Sequence, residues 1–137
     1  MSDQNVDVVK SSYAAFGRGD IDGLLATLDP AVEWVTPGPA DLPSAGTRRG
    51  HDAVRGFFKI LDDMYEILSF EPKTFISQGE HVIVLGEDTA RIKATGTVVT
   101  EAWVHHMTVR NGKVVAFREY IDTAPVVTEL RMTKAEV

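Results

Sequence analysis

Two residues in the second half of the chain have the type and the surroundings for proton chemistry. Glu119 belongs to the alternating set Val115, Phe117, Glu119 and Ile121, a single carboxylate among apolar neighbours. Burying an unpaired carboxylate costs several kcal/mol, so one on such a face points to a role. In an apolar pocket its basicity rises, and it could take a proton from carbon next to a carbonyl or from water. The competing reading is structural: a partner for Arg91, Arg118 or another cation, or a polar contact between subunits. His105 shares a strand face with Glu101, Trp103, Met107 and Val109. Its imidazole suits a donor to a developing oxyanion or a proton shuttle. The plainer alternative is a half-buried histidine holding a backbone carbonyl. Pattern alone leaves open which face of each strand looks inward.

Asp88 and Glu101 are further acid candidates, each equally compatible with a strand end in water. Tyr13, Trp34, Phe58, Trp103 and Phe117 are candidates to line a substrate cavity, with plain core as the alternative. His51 and Asp52 open a helix and read as capping residues. His105 and His106 are adjacent on one strand and must point apart, and no His-x-His or helical His-x-x-x-His spacing occurs. No metal centre and no cofactor are therefore expected. Gly17-Arg18-Gly19 follows a helix instead of a strand and lacks the rest of a dinucleotide fingerprint.

These side chains need elements to hold them. Val6, Val9, Tyr13 and Phe16 recur at helical spacing, and Gly17 to Asp20 stops that helix. Asp20 is a plausible N-cap for a second helix carrying Ile21, Leu24, Leu25 and Leu28, ending at Asp29-Pro30. Residues 31–36 read as a short strand and 37–50 as an irregular loop rich in Pro and Gly. Helical spacing returns from His51 to about Leu68. Four strands follow over 70–77, 81–93, 97–110 and 113–123, the last two joined by Asn111-Gly112, a strong hairpin signal. Residues 127–137 read as a loose tail. The sum is an α+β domain in which three N-terminal helices pack on a strongly curved, mostly antiparallel sheet, a cone with room for a small molecule.

With 137 residues, the chain is expected to form one domain, residues 1–137, with its core over about 6–123. Having no cysteine, it must fold without disulfides, and a domain of this length buries enough surface to do so. Fourteen basic against twenty acidic residues give a net charge of −6, and the basic residues are scattered. Nucleic acid is not an expected partner. No apolar run approaches the ~20 residues of a spanning helix, and the polar segment Met1 to Asn5 lacks a signal-peptide pattern. A cytoplasmic protein with no membrane partner is the expectation.

The order of elements, together with Tyr13-Ala-Ala-Phe-Gly-Arg-Gly-Asp20, Val32-Glu-Trp34, Ala45-Gly-Thr-Arg-Arg-Gly-His-Asp-Ala-Val54, Asn111-Gly-Lys113 and Phe117-Arg-Glu-Tyr-Ile-Asp122, resembles the nuclear transport factor 2-like superfamily. Within it the chain resembles SnoaL-like and ketosteroid-isomerase-like proteins. The resemblance implies a cone-shaped α+β barrel and a homodimer. It places His105 where SnoaL-like cyclases have a pocket histidine, and Glu119 where the cyclases and limonene epoxide hydrolases have a catalytic aspartate. It puts Asp88 near a second acid of the epoxide hydrolases, whose intervening arginine falls at Gly86 here. The ketosteroid isomerase base falls at or near Trp34, which cannot accept a proton, and the oxyanion tyrosine falls close to Tyr13. The expected function is a cofactor-independent isomerase or cyclase acting by proton transfer on a small apolar carbonyl compound. Epoxide-hydrolase-like water addition and a non-catalytic domain binding a small hydrophobic molecule are the alternatives.

Overall fold

The computed structural model describes Ser2 to Ala135. Its elements in chain order are α1 (Ser2–Gly17), α2 (Ile21–Ala26), β1 (Leu28–Thr36), β2 (Gly46–Arg49), α3 (Gly50–Met64), β3 (Tyr65–Gln78), β4 (His81–Ile92), β5 (Val98–Arg110), β6 (Lys113–Ile121) and α4 (Ala124–Ala135). The six strands form one mixed sheet in the order β2-β1-β6-β5-β4-β3, curled but not closed. Every pairing is antiparallel except β1 with β6. The expected α+β class and curved sheet are what the structure has.

The helical hairpin forms as its residues dictate. Gly19 adopts φ 71°, and Asp20 caps α2 by accepting the Gly23 N–H at 2.8 Å. Leu28, however, opens β1 instead of closing α2. It lies beside Val114 of β6, and the Val114 N–H donates to the Thr27 carbonyl at 2.9 Å. Sheet pairing thus claims the chain three residues before the expected strand start. The Pro-rich connection also contains more order than its composition suggests. Gly46–Arg49 returns as edge strand β2 on β1, and Arg49 pairs with Glu33 at 2.7 Å. Arg48 donates to the carbonyls of Ser44 and Pro43, both at 3.1 Å, which gathers the loop.

Helix α3 ends four residues earlier than its apolar spacing predicts. Tyr65 is already extended, at φ −132° and ψ 147°, and pairs with Ile92. Ile67 and Leu68 lie on β3 and are exposed, so their apolar character marks a strand edge instead of a helix face. His51 does not cap α3; its Nε2 bonds the Leu28 carbonyl at 2.9 Å, while Asp52 does stand in the first turn. The expected loose tail begins instead as helix α4. Val126 is buried there against Leu42 and Ile92, and Arg131 makes a two-point ion pair with Asp41. Residues 136–137 of that tail lie outside the described residues.

The core fills the concave side of the sheet under α1, α2 and α3. It contains Val9, Leu24, Val32, Trp34, Val54, Phe57, Val84, Trp103, Met107 and Phe117. Alternation along β5 sends Trp103, His105, Met107 and Val109 inward, as their shared face requires. On β6 a register shift opposite Thr108 and Val109 turns Val114 inward while Val115 is only partly buried. The expected face of Val115, Phe117, Glu119 and Ile121 thus holds from Phe117 onward, because the extra residue in the bulge resets the alternation.

Candidate functional site

The tight turn at Asn111-Gly112, both at positive φ, sets β5 against β6 so that His105 lies directly opposite Glu119. Their side chains meet: His105 Nε2 is 3.0 Å from Glu119 Oε2. The other ring nitrogen, Nδ1, is 2.7 Å from the hydroxyl of Tyr13, carried in from α1. His105 is thus held at both nitrogens, with its side chain 6% exposed, while that of Glu119 keeps 24% of its surface open. Burial, and then the charge of Glu119, push the Tyr13 hydroxyl well above the usual phenol range. Tyr13 therefore stays a neutral phenol. The neutral arrangement satisfying all three groups has Tyr13 donating to Nδ1 and Nε2–H donating to the carboxylate.

Neither arginine named as a possible partner of Glu119 pairs with it. Arg91 bonds Glu66 at 3.1 Å, and Arg118 is exposed beside the inward-facing Phe117 and Glu119. His105 bonds two side chains, not a backbone carbonyl. Aromatic rings fix the imidazole from three sides. Trp103 stacks on it at 4.0 Å between centroids, Tyr13 at 5.9 Å, and Phe117 meets it edge-on at 4.7 Å.

Glu119 lies between two cavities. The inner one, about 80 Å³, is bounded by Tyr13, Trp34, Phe58, His105, Phe117 and Glu119 among others. Trp34 lies over Phe117 at 3.8 Å, directly opposite it on the parallel β1–β6 pairing. The outer cavity, about 110 Å³, is lined from β3 to β6, from α1, α3 and α4, and from the end of β1 and the loop that follows it. Its wall includes Asp88, Glu101, Trp103 and Glu119. Every sequence-nominated site residue thus borders one cavity or the other. Asp88 and Glu101 face each other across β4 and β5, and neither stands at a strand end in open water. Burial raises both carboxyls, Asp88 to about 6 with the charge of Glu119 adding, and Glu101 to about 7 with that of Asp88 adding.

The sequence reading missed Tyr65, Phe16 and Phe70, which also line the outer cavity. Phe16 and Phe70 sit at inward positions of elements already recognised, so alternation alone could have found Phe70. Tyr65 was assigned to the wrong element. Asp122, exposed just beyond β6, also borders this cavity. On the outer sheet face His81 Nδ1 meets His106 Nε2 at 2.9 Å, a pairing between strands that adjacency within one strand could not reveal. Among the described residues no three His, Asp or Glu side chains are grouped so as to hold a metal ion. None of the helices described is long and apolar enough to cross a membrane.

The chain is similar to several solved structures over nearly its full length. An NTF2-like protein from Burkholderia xenovorans LB400 is 43% identical, with a TM-score of 0.84, covering 93% of this chain and 96% of that one. An NTF2-like protein of unknown function from Burkholderia pseudomallei K96243 is 35% identical, with a TM-score of 0.86 and coverage of 93% and 97%. TerC, crystallised with polyporic acid, is 31% identical, with a TM-score of 0.84 and coverage of 91% and 96%. No curated protein matches the chain. Residues 9–117 match the family model of the SnoaL-like domain, so the chain belongs to the SnoaL-like domain family and has the NTF2-like fold.

Proposed function

We propose that the protein is a cofactor-independent enzyme of the isomerase or cyclase type, moving a proton on a small, largely apolar carbonyl compound. The observation that carries this reading is the contact of 3.0 Å between His105 Nε2 and Glu119 Oε2, at a carboxylate that borders both cavities. One oxygen of Glu119 is occupied by the imidazole, which fixes the group. The other is the general base, reaching a C–H of a molecule lying against Trp103 and Phe70. Tyr13 and His105 steady the carboxylate through its change of charge: the Nε2–H follows the proton count of Glu119, and the phenol fixes the tautomer. The co-crystallisation of the similar protein TerC with polyporic acid supports a small organic ligand for this chain.

Water addition between Asp88 and Glu119 is less well supported. The position between the two acids where a cation would polarise an epoxide oxygen is Gly86, covered by the Trp103 indole, and the described residues of the outer cavity include no Lys or Arg. The working assembly in this reading is a homodimer in the cytoplasm, checked by sedimentation.

The test is solvent exchange. The protein is incubated in D2O with 2-tetralone or 2-indanone, neutral ketones with an acidic C–H, and deuterium uptake is followed by proton NMR. Glu119→Gln should lower the catalysed rate by about 10²–10⁴. Full exchange in Glu119→Gln overturns the base assignment. Saturable binding with no exchange in either form favours a domain that holds its ligand unchanged.

A further inference from the structure

Glu119 borders two cavities of about 80 and about 110 Å³, each well below the roughly 300–1,000 Å³ of pockets that hold organic ligands. A third hollow, an external groove of about 1230 Å³, runs between α1, α3 and β3, where the curled sheet stays unclosed. Among the described residues, only Phe16, Leu61 and Phe70 border all three spaces. These side chains come from three different elements and meet at one point of the seam between the helices and β3.

The backbone under each of them is a weakly restrained part of its element. Phe16 is the second-last residue of α1, and the chain turns directly after it through Gly17-Arg18-Gly19, with Gly19 at φ 71°. Leu61 lies in the last turn of α3. Phe70 is on β3, an edge strand bonded only to β4, between register shifts at Ile67/Ser69 and Pro72/Thr74. Helix ends, edge strands and bulges open locally at lower cost than the interior of a helix or sheet. All three side chains are partly exposed, whereas Leu24, Phe57 and Phe117 of the same core are buried. The Phe16 and Phe70 rings meet edge-on at 5.0 Å between centroids, a contact with no polar bond to hold it. Asn5 Nδ2 donates to the Gly79 carbonyl at one end of the seam, and Lys93 donates to the carbonyls of Asp62 and Met64 at the other. Between these ends, among the described residues, no hydrogen bond or ion pair joins α1 or α3 to β3. The other walls of the outer cavity are fastened. β4, β5 and β6 are bonded along both edges, α4 is held by the two-point Arg131–Asp41 ion pair, and Arg48 gathers the loop after β1. The groove's rim is charged but balanced: Arg55 bonds Asp22 at 2.6 Å, Arg91 bonds Glu66 at 3.1 Å, and Lys59 lies 3.9 Å from Asp63.

We infer that ligand reaches Glu119 through the seam between β3 and the ends of α1 and α3, and that Phe16, Leu61 and Phe70 set the size of molecule admitted. This rests on the reading of Glu119 as the centre of a small-molecule site, and adds to it the route and the residues that select by size. Drawn aside together, the three side chains join the inner and outer cavities around the carboxylate, so the space that holds the ligand is made as the ligand enters. The class admitted is neutral and apolar, as the balanced rim and the aromatic floor dictate, and its width is limited by the gap these three side chains leave.

The test is the kinetics of entry. Both tryptophans of the chain, Trp34 and Trp103, line the cavities, so entry of 2-naphthol is followed by stopped-flow quenching of their fluorescence. Leu61→Ala should raise the association and dissociation rates together by about 10-fold and leave Kd within about threefold, because a wider passage lowers the barrier from both sides. Arg131→Ala, which frees α4 on another side of the outer cavity, should leave both rates unchanged. Faster entry in Arg131→Ala with none in Leu61→Ala puts the way in under α4 and overturns the inference. The chain has no cysteine, so Lys59→Cys on the exposed rim takes a single bulky maleimide label. The label should slow entry by about 10-fold with the circular dichroism unaltered. Unchanged entry overturns the route, and this arm stands should Leu61→Ala fail to fold. 9-Phenanthrol, one ring larger, should bind Leu61→Ala about 10-fold more tightly than the unmodified protein, and equal binding removes the three residues as size determinants. Absence of saturable 2-naphthol binding by the unmodified protein overturns the inference as a whole. Glu119 is judged separately, by solvent exchange. Entry through the seam without exchange overturns the base and keeps the route, whereas exchange lost in Glu119→Gln but untouched by the label at position 59 keeps the base and overturns the route.

Discussion

Gly86 holds the Trp103 ring in place, and replacing it with alanine tests the packing on which the site depends. Gly86 lies opposite Trp103 on β4. A methyl group built there would fall on the benzo edge of the indole, with even Cε2 only 2.7 Å away. Carbon atoms prefer about 3.5–4.0 Å, so ring or strand must move by about 1 Å. The strand cannot retreat, because β3 and β5 bond it on both sides. The ring has little more freedom, lying against Phe70 at 4.9 Å and His105 at 4.0 Å between centroids. Overpacking of this kind costs about 1–3 kcal/mol, which at this chain length lowers Tm by several degrees. Gly56→Ala is the matched control: that glycine is exposed within α3, with nothing within 4 Å of an added methyl. It should stabilise by about 0.5–1 kcal/mol through helix propensity. Urea denaturation followed by tryptophan fluorescence gives both values, and near-UV circular dichroism reports the Trp103 environment. A Gly86→Ala protein as stable as the unmodified one, with an unchanged Trp103 signal, would refute the reasoning. The same contact explains why an arginine between the two acids has no place here.

Further consequences can be checked with the same instruments. Tyr13→Phe leaves His105 Nδ1 buried without its partner, and should cost about 1–3 kcal/mol in urea denaturation and alter the tautomer balance seen in the His105 ring nitrogens. Asp88 and Glu101 are raised in the folded protein, so they favour folding while protonated and oppose it as pH climbs from about 4 through 7. Both are partly open to solvent, which reduces the effect to about 1–2 kcal/mol in total. Asp88→Asn with Glu101→Gln should therefore unfold at a higher temperature than the unmodified protein at pH 8, with the gap closing toward pH 4; parallel curves across that range would contradict the raised values. Val126→Ala removes two buried methyl groups of α4 and should cost about 1–2 kcal/mol by thermal melting; no loss would mean that α4 does not pack against Leu42 and Ile92.

The legible parts of this protein are those governed by short-range rules. Alternation of two put Glu101, Trp103, His105 and Met107 on one face of β5, and the Asn-Gly turn brought Glu119 opposite His105, fourteen residues away. What stayed hidden depends on contacts that no window of sequence contains. Tyr65 fits a helical stripe as well as it fits a strand, and only Ile92, its cross-strand neighbour, decides between them. The bulge that turns Val114 inward has no residue signature in Val114-Val115. β2 exists because β1 offers it a free edge, and α4 because Leu42 and Ile92 offer Val126 a place to pack. Asp88 and Glu101 looked like separate acids because their partnership is set by the register of β4 on β5, across a connection whose length the sequence leaves ambiguous.

That register gives the site its chemical asymmetry. Two cross-strand pairs stand on the concave face, four residues apart along β5: His105 with Glu119, and Glu101 with Asp88. In one, an acid meets an imidazole nitrogen at 3.0 Å. In the other, an acid meets an acid, which favours retaining a proton. Trp103 stands between the two pairs on β5, filling the cross-strand space that Gly86 leaves, and its side chain borders the same cavity as the acids. The glycine, the tryptophan and the two pairs therefore act as one arrangement, and a change at Gly86 should disturb both ends at once.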